Sequence, residues 1–145
     1  METIGLIISC ILTLILMLYL FTRKKKNQLQ KIFIIDSLLI FCWCILLLAQ
    51  KYFCANYDID PFAFECFVYI FACFLPVSMF FTGVIFTNTK IKFKKYYCLL
   101  FIVPIITLFI IWTNNYHHLF YINYSINLNE TEFGPYDTVH LIYTY

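Results

Sequence analysis

Four stretches of the chain are long and apolar enough to cross a bilayer, and this feature limits the fold more than any other. A helix that spans the hydrocarbon core needs about 20 predominantly apolar residues. The four stretches are Thr3–Thr22, Ile32–Ala49, Phe62–Phe86 and Tyr97–Thr113. In lipid, backbone polar groups must be paired within a helix or a closed barrel, so each stretch is predicted to be helical. The predicted fold class is therefore all-α, a polytopic membrane helical bundle of four transmembrane helices forming a single domain.

The composition supports a membrane environment. Of the 145 residues, 63% are hydrophobic and only 12% are charged. A soluble domain carries about 25% charged residues, so the chain has too few charges for a surface that faces water on all sides. The net charge of +2 gives no indication of a nucleic-acid partner. The predicted partners are the lipid bilayer and, within it, other membrane helices or a second copy of the chain.

The basic residues predict the orientation. Nine of the ten lie in two connections, namely Arg23, Lys24, Lys25, Lys26 and Lys31 after the first stretch and Lys90, Lys92, Lys94 and Lys95 after the third. Cytoplasmic loops of membrane proteins carry the excess of Lys and Arg. Both connections are therefore predicted to be cytoplasmic, and the N-terminus extracytoplasmic. Since the charges follow the first stretch rather than precede it, this stretch is predicted to be an uncleaved anchor and not a signal peptide.

A few polar residues and prolines interrupt the apolar stretches. Asp36 and Glu65 lie in the first turns of the second and third helices, and ionisable groups at such depths are often functional. Because both are close to a membrane surface, we expect their carboxylates to reach towards water at opposite faces. Pro76 and Pro104 interrupt the third and fourth helices and are predicted to kink them. Pro76 is a candidate for shaping a cavity between helices.

The longest polar segment, Asn114–Val139, is predicted to be an outer loop. Its adjacent histidines, His117 and His118, point in different directions and lack a third ligand at a recognised spacing, although His140 could approach them across the loop. We therefore predict no metal site. The alternative is an interfacial cap in which the histidines bond to nearby backbone and three aromatic rings join the interfacial belt. These rings are Trp112, Tyr116 and Phe120.

The remaining motifs indicate no enzyme. The chain has three glycines and lacks a P-loop, a nucleophile elbow and a zinc-protease motif, so neither a catalytic site nor a cofactor is predicted. The seven cysteines form no CxxC pair, and most lie in apolar runs where a thiol packs as a small hydrophobic group. Whether Cys54 and Cys66 pair near the outer face is left open by the sequence.

The segment that follows Pro104 carries a family resemblance. The run Val103–Thr107, then Trp112-Thr113-Asn114 and His117-His118-Leu119-Phe120, resembles the N-terminal seven-helix membrane domain of bacterial sensor histidine kinases. That family has a fourth helix with a proline and a terminal Thr-Asn, a His-His-Leu-Phe-like motif, a loop, a Gly-Pro and an aromatic fifth helix. Gly134-Pro135 and His140–Tyr145 are similar to the last two features.

The resemblance implies a function and a set of candidate residues. It implies a membrane sensor module of a two-component system, located in the cell membrane, truncated within its fifth helix and without a catalytic domain of its own. A small transporter or pore subunit, a membrane enzyme using His117, His118 and Glu65, and a non-functional fragment of a longer kinase are the alternatives. The candidate signal or ligand residues are Pro76, Trp112, Thr113, Asn114, His117, His118, Gly134 and Pro135.

Overall fold

The computed structural model describes residues 2–24, 27–57, 59–87, 95–125 and 130–144. Within these ranges, four helices are long and apolar enough to cross a membrane. They are α1 (Glu2–Thr22), α2 (Gln28–Asn56), α3 (Pro61–Thr87), and a fourth span in which a 3-10 helix (Lys95–Phe101) continues into α4 (Ile102–Trp112). The predicted all-α membrane fold is confirmed. Several charged residues of the connections lie outside the described residues, namely Lys25, Lys26, Asp58, Lys90, Lys92 and Lys94.

The helix ends depend on polar residues that the apolar pattern does not reveal. The Asn27 side chain accepts a hydrogen bond from the Gln30 backbone N–H at 2.8 Å, and the Gln30 side chain accepts one from the Asn27 N–H at 3.2 Å. This reciprocal capping box starts α2 at Gln28, four residues before the predicted Ile32. Pro61 begins α3, where its missing N–H would have had no helical partner.

Pro104 does not interrupt a helix as predicted. It is the third residue of α4, immediately after the 3-10 helix, so it lies in the first turn, where backbone N–H groups have no partner within the helix. Pro76, by contrast, lies inside the continuous α3. Pro76 is therefore the one proline that lies beyond the first turn of an α-helix in the four spans.

The segment after α4 is folded rather than an open loop. It contains α5 (Asn114–His117), the antiparallel strands β1 (Tyr121–Asn123) and β2 (Glu132–Phe133), and α6 (Pro135–Thr144). The helix that the family resemblance predicted as the fifth is α6. It begins at Pro135, five residues before the predicted His140, because proline is favoured at the first helical position. With ten residues, α6 is about 15 Å long. We call α5, the β1–β2 hairpin and α6 the cap.

The cap lies where α2 ends and α3 begins, and we call this end of the bundle the cap end. The opposite end, where α1 and α3 end, carries Arg23, Lys24 and Lys31 and is called the basic end. A buried apolar cluster of Ile111, Phe120 and Tyr121 joins α4 to the cap. Phe120 is fully buried in it, so the prediction that this ring lies in the interfacial belt is wrong, whereas Tyr116 is 90% exposed.

The outer faces of the spans are apolar and exposed. On α1, Leu12 is 61% exposed and Ile15 is 58% exposed, and α1 packs mainly on α2. Exposed aliphatic side chains on so many successive turns match a helix that faces lipid rather than water. All seven cysteines are free thiols, so Cys54 and Cys66 are not paired.

Candidate functional site

The cap is held together by the side chain of Asn114, which is buried. Its Oδ1 atom accepts hydrogen bonds from the backbone N–H groups of Phe120 at 2.9 Å and Tyr121 at 3.1 Å. Its Nδ2 atom donates to the Tyr121 carbonyl oxygen at 2.8 Å. Three backbone groups at the start of the hairpin therefore depend on one amide. Asn114 was a candidate signal residue, and its contacts are those of a residue that stabilises the local fold.

Gly134 allows two backbone segments to approach each other. A Cβ atom at this position would overlap the carbonyl oxygens of Leu119 and His118. The Gly134 N–H donates to the Phe120 carbonyl oxygen at 2.7 Å, and the Tyr136 N–H donates to the Leu119 carbonyl oxygen at 2.9 Å. The Gly-Pro pair thus brings α6 against the segment that follows α5, with Pro135 beginning the helix.

The adjacent histidines have different roles. The His117 Nδ1 atom accepts a hydrogen bond from the Leu119 N–H at 3.0 Å, which leaves the proton on Nε2. That Nε2–H donates to the Thr113 hydroxyl oxygen at 2.9 Å, and Thr113 donates in turn to the Phe109 carbonyl oxygen at 2.6 Å. His118 is exposed, and its φ of 51° ends α5. Both nitrogens of His117 are therefore engaged by the protein itself.

Polar groups from distant parts of the chain converge on the carboxylate of Glu65, near the start of α3. Its Oε1 atom accepts a hydrogen bond from the Tyr121 hydroxyl at 3.2 Å, and its Oε2 atom accepts one from the Tyr124 hydroxyl at 2.8 Å. The Tyr124 oxygen accepts from Gln50 Nε2 at 2.7 Å, and the hydroxyl oxygens of Tyr121 and Tyr69 are 3.1 Å apart. We call these five residues the Glu65 cluster.

The hydroxyls of Tyr121 and Tyr124 can both donate to the Glu65 carboxylate. A phenol has one proton, and the Tyr121 hydroxyl lies within donating distance of both Glu65 Oε1, at 3.2 Å, and the Tyr69 oxygen, at 3.1 Å. The second proton of the Gln50 amide goes to the Pro61 carbonyl oxygen at 3.0 Å. Burial raises the pKa of Tyr121 and of Tyr124, and the charge of Glu65 raises both further, so both phenols stay protonated near neutral pH. The carboxylate and phenol oxygens of the cluster still have lone pairs that can accept further hydrogen bonds.

His140 and Tyr143 add two buried polar atoms from α6. The His140 ring lies 5.4 Å from the Tyr69 ring and 5.7 Å from the Phe120 ring, centroid to centroid. Within the described part of the chain, its Nδ1 atom and the Tyr143 hydroxyl are buried without a hydrogen-bond partner. Burial lowers the pKa of His140 and raises that of Tyr143 to about 12, so both side chains are uncharged near pH 7.

A partly open cavity of about 1220 Å³ lies between α2, α3 and the cap. This volume exceeds the roughly 300–1,000 Å³ that is usual for small-molecule sites. Its polar end is the Glu65 cluster, with His140 and Tyr143 on the α6 side. Its deeper wall is apolar and is formed by Trp43, Leu47, Val68, Ala72 and Pro76. The cavity thus has one polar end and a long apolar wall.

Of the eight candidate signal residues, Pro76 alone lines this cavity. Asn114 and His118 border a smaller cavity of about 200 Å³ at the other side of the hairpin. Trp112 donates from its indole to the Cys66 carbonyl oxygen at 3.1 Å and is 57% exposed. The motif that carries the resemblance therefore builds the cap. The sequence did not single out four residues of this cluster, namely Gln50, Tyr69, Tyr121 and Tyr124. The one available signal was a glutamine directly after the second apolar stretch.

Asp36 does not reach towards water as predicted. Its side chain is buried between α2 and α3, where one carboxylate oxygen accepts a hydrogen bond from Ser78 and the other accepts one of 2.6 Å from Thr82. Two hydroxyls within reach on α3 replace water as partners. Glu65 likewise bonds to protein groups instead of extending to solvent.

The comparisons with known proteins decide the family. The model of the N-terminal 7TM region of histidine kinase matches residues 5–145. The chain belongs to this family. Neither a curated protein nor a solved structure matches it. The match covers the whole chain except its first four residues, and it confirms the resemblance noted in the sequence. In this histidine kinase sensor region, the Glu65 cluster forms the polar end of the larger of the two cavities described above. The described part of the chain has no group of three His, Cys, Asp or Glu side chains suited to a metal ion.

Proposed function

We propose that this chain receives a signal in the cavity between α2, α3 and the cap, and passes it through the bundle without catalysis of its own. The observation that carries the proposal is the position of the Glu65 cluster. It connects α2, α3 and the cap, and its five side chains line the cavity. A molecule bound beside it would contact all three parts at once. A stimulus favours one arrangement of helices only if it binds that arrangement more tightly than another. A molecule that contacts all three parts meets this condition when the parts move relative to one another.

The proposed orientation places the cap outside the cell and the basic end in the cytoplasm. Arg23, Lys24 and Lys31 are at the basic end, in agreement with the positive-inside rule. In this orientation the cavity faces the outer half of the bilayer, and the ends of α1 and α3 face the cytoplasm. The bilayer is the environment of the exposed apolar faces, and association with other membrane helices or a second copy remains a prediction.

A transporter or pore would need polar groups along a path through the bundle. The buried polar side chains between α2 and α3 form two separate groups, the Asp36–Ser78–Thr82 group nearer the basic end and the Glu65 cluster at the cap end. Between them the cavity wall is apolar, with Leu47 and Ala72 among its residues. This separation favours a site that receives a ligand over a conducting path through the bundle.

The proposal is tested by filling the cavity and measuring the opposite end. Spin labels at Gln28 and Thr87, in a background without native cysteines, would report the distance between α2 and α3 at the basic end in lipid nanodiscs. We expect Ala72→Phe, which places a ring in the cavity, to shift this distance by about 1–2 Å, the size of ordinary helix shifts. Leu18→Phe, on the exposed face of α1, is the matched control. An unchanged distance in Ala72→Phe would contradict signal transmission.

A further inference from the structure

We infer that the cavity takes a membrane-soluble amphiphile with an apolar tail and a cationic, N–H-donating head, such as a long-chain ammonium compound. This inference rests on the proposed function, because it assigns a ligand class to the same cavity. It follows from three properties of the cavity, which are its hydrogen-bonding balance, its charge and its shape.

The hydrogen-bonding balance of the polar end calls for a donor. The proton of Tyr124 goes to Glu65, the proton of Tyr121 is directed to Glu65 or Tyr69, and both amide protons of Gln50 are used. Carboxylate and phenol oxygens have further lone pairs. The acceptor sites of the cluster thus outnumber its uncommitted protons, and an ammonium group brings up to three donors for them.

The charge of the lining points in the same direction. Among the residues that the structure describes, two carboxylates, Glu65 and Asp137, and one ammonium, Lys51, line the cavity. The balance is one negative charge, and His140 adds none near pH 7 because burial lowers its pKa. A carboxylate beside a low-dielectric apolar wall attracts a cation more strongly than it would in water.

The shape fits a tail that runs along α2 and α3, away from the Glu65 cluster. Trp43 is seven residues from Gln50, and Pro76 is eleven residues from Glu65, so the apolar wall extends about 10 to 16 Å along the helices. On the α6 side, the Nδ1 atom of His140 is buried without a hydrogen-bond partner among the described residues. A neutral imidazole has one unprotonated nitrogen, so in the tautomer that leaves Nδ1 unprotonated this atom accepts a hydrogen bond from the same head.

Tryptophan fluorescence can test the ligand class directly. The chain has two tryptophans, and Trp112→Phe leaves Trp43, in the cavity wall, as the single probe. Dodecyl chains with a bromine at the tail end and an ammonium, hydroxyl or carboxylate head would be added to the full chain in nanodiscs. Bromine quenches tryptophan at short range, and competition with the unbrominated compound separates binding at the site from partition into lipid. We expect saturable, competed quenching by the ammonium compound, at least about tenfold tighter than by the other two.

Two variants and two unfavourable results complete the experiment. Glu65→Gln should weaken ammonium binding about tenfold, the equivalent of roughly 1.4 kcal/mol, whereas Glu132→Gln, on the exposed strand β2, should leave it within about twofold. Equal binding of all three heads, or preference for the carboxylate, would overturn the ligand class while leaving the cavity as the site. Absence of saturable quenching by all three would overturn both. The head-group order in the Trp112→Phe protein decides the ligand class even if Glu65→Gln fails to fold.

Discussion

The carboxylate of Asp36 on α2 accepts a hydrogen bond of 2.6 Å from the hydroxyl of Thr82 on α3, 46 residues later in the chain. Ser78, one turn earlier on α3, donates to the other oxygen. Two helices are thus connected inside a predominantly apolar interface by a group that is costly to bury without partners. The two donors satisfy the carboxylate, and the carboxylate determines which faces of α2 and α3 meet.

Replacing Asp36 should therefore destabilise the pair of helices. We expect Asp36→Ala to lower the free energy of unfolding by about 1–3 kcal/mol, because two charge-assisted hydrogen bonds are lost, and Asp36→Asn to lower it less. Ser37→Ala is the matched control, since the Ser37 hydroxyl donates to the Phe33 carbonyl oxygen within α2. Thermal unfolding in detergent, followed by tryptophan fluorescence, measures the difference. Equal effects of Asp36→Ala and Ser37→Ala would contradict the assigned role.

The cap should depend on the Asn114 amide. Asn114→Ala leaves two backbone N–H groups and one carbonyl oxygen without partners in a buried place. Each such group costs about 1–3 kcal/mol, so we expect a loss of roughly 2–4 kcal/mol for the cap after partial relaxation. Asn115→Ala, on the exposed side of α5, should change stability by less than about 0.5 kcal/mol. Amide hydrogen exchange of the Phe120 and Tyr121 N–H groups would show the loss of protection.

Two glycine substitutions should have opposite consequences. Gly134→Ala places a methyl group into the carbonyl oxygens of Leu119 and His118, and the backbone must move to accommodate it. We expect a cost of about 1–3 kcal/mol, typical of overpacking. Gly83→Ala meets no atom within 4 Å and lies inside α3, so it should leave stability unchanged or raise it by up to about 1 kcal/mol. A neutral Gly134→Ala in thermal unfolding would contradict the close approach.

The cap should weaken as the pH falls. Burial lowers the pKa of His140, so below about pH 6.5 the unfolded chain binds a proton that the folded chain resists. Stability therefore rises with pH across that window and is lost as the pH falls from 7.5 towards 5. The groups that face the ring are Tyr69 and Phe120, and Asp137 is one turn away on α6.

This loss should disappear in one histidine variant and persist in another. His140→Asn should remove the dependence, whereas His118→Asn should keep it, since His118 is exposed and asparagine tolerates its left-handed backbone. Unfolding midpoints at the two pH values provide the measurement. A pH dependence that survives in His140→Asn would assign it to another group.

Chemical labelling tests the proposed orientation. In a background without native thiols, a cysteine at Asn115 on the cap should react with a membrane-impermeant reagent added to intact cells, and a cysteine at Asn27 should be protected. Positions Thr89 and Asn127, which the sequence analysis would also place on opposite sides, lie outside the described residues. Labelling of Asn27 from outside would reverse the assignment of the two ends.

The sequence predicted the four spans because crossing a bilayer is a local requirement. Length and apolarity of each stretch suffice for it, and no information about neighbouring helices is needed. The ends of the helices were harder to predict, since the Asn27–Gln30 capping box and the proline that begins α6 are not part of the apolar pattern. The Gly-Pro and His-His motifs identified the family, but their contacts show that they build the cap.

The candidate site itself was decided by the tertiary structure. Gln50, Glu65 and Tyr124 come together across up to 74 residues of chain, and nothing in their spacing indicates that they meet. The same holds for Asp36, because its position in the second apolar stretch follows from the sequence, whereas its burial and its hydroxyl partners follow from which face of α3 packs against it. The physical reason is that lipid acts on each segment separately, while burial of a polar group depends on the partners that other segments bring to it.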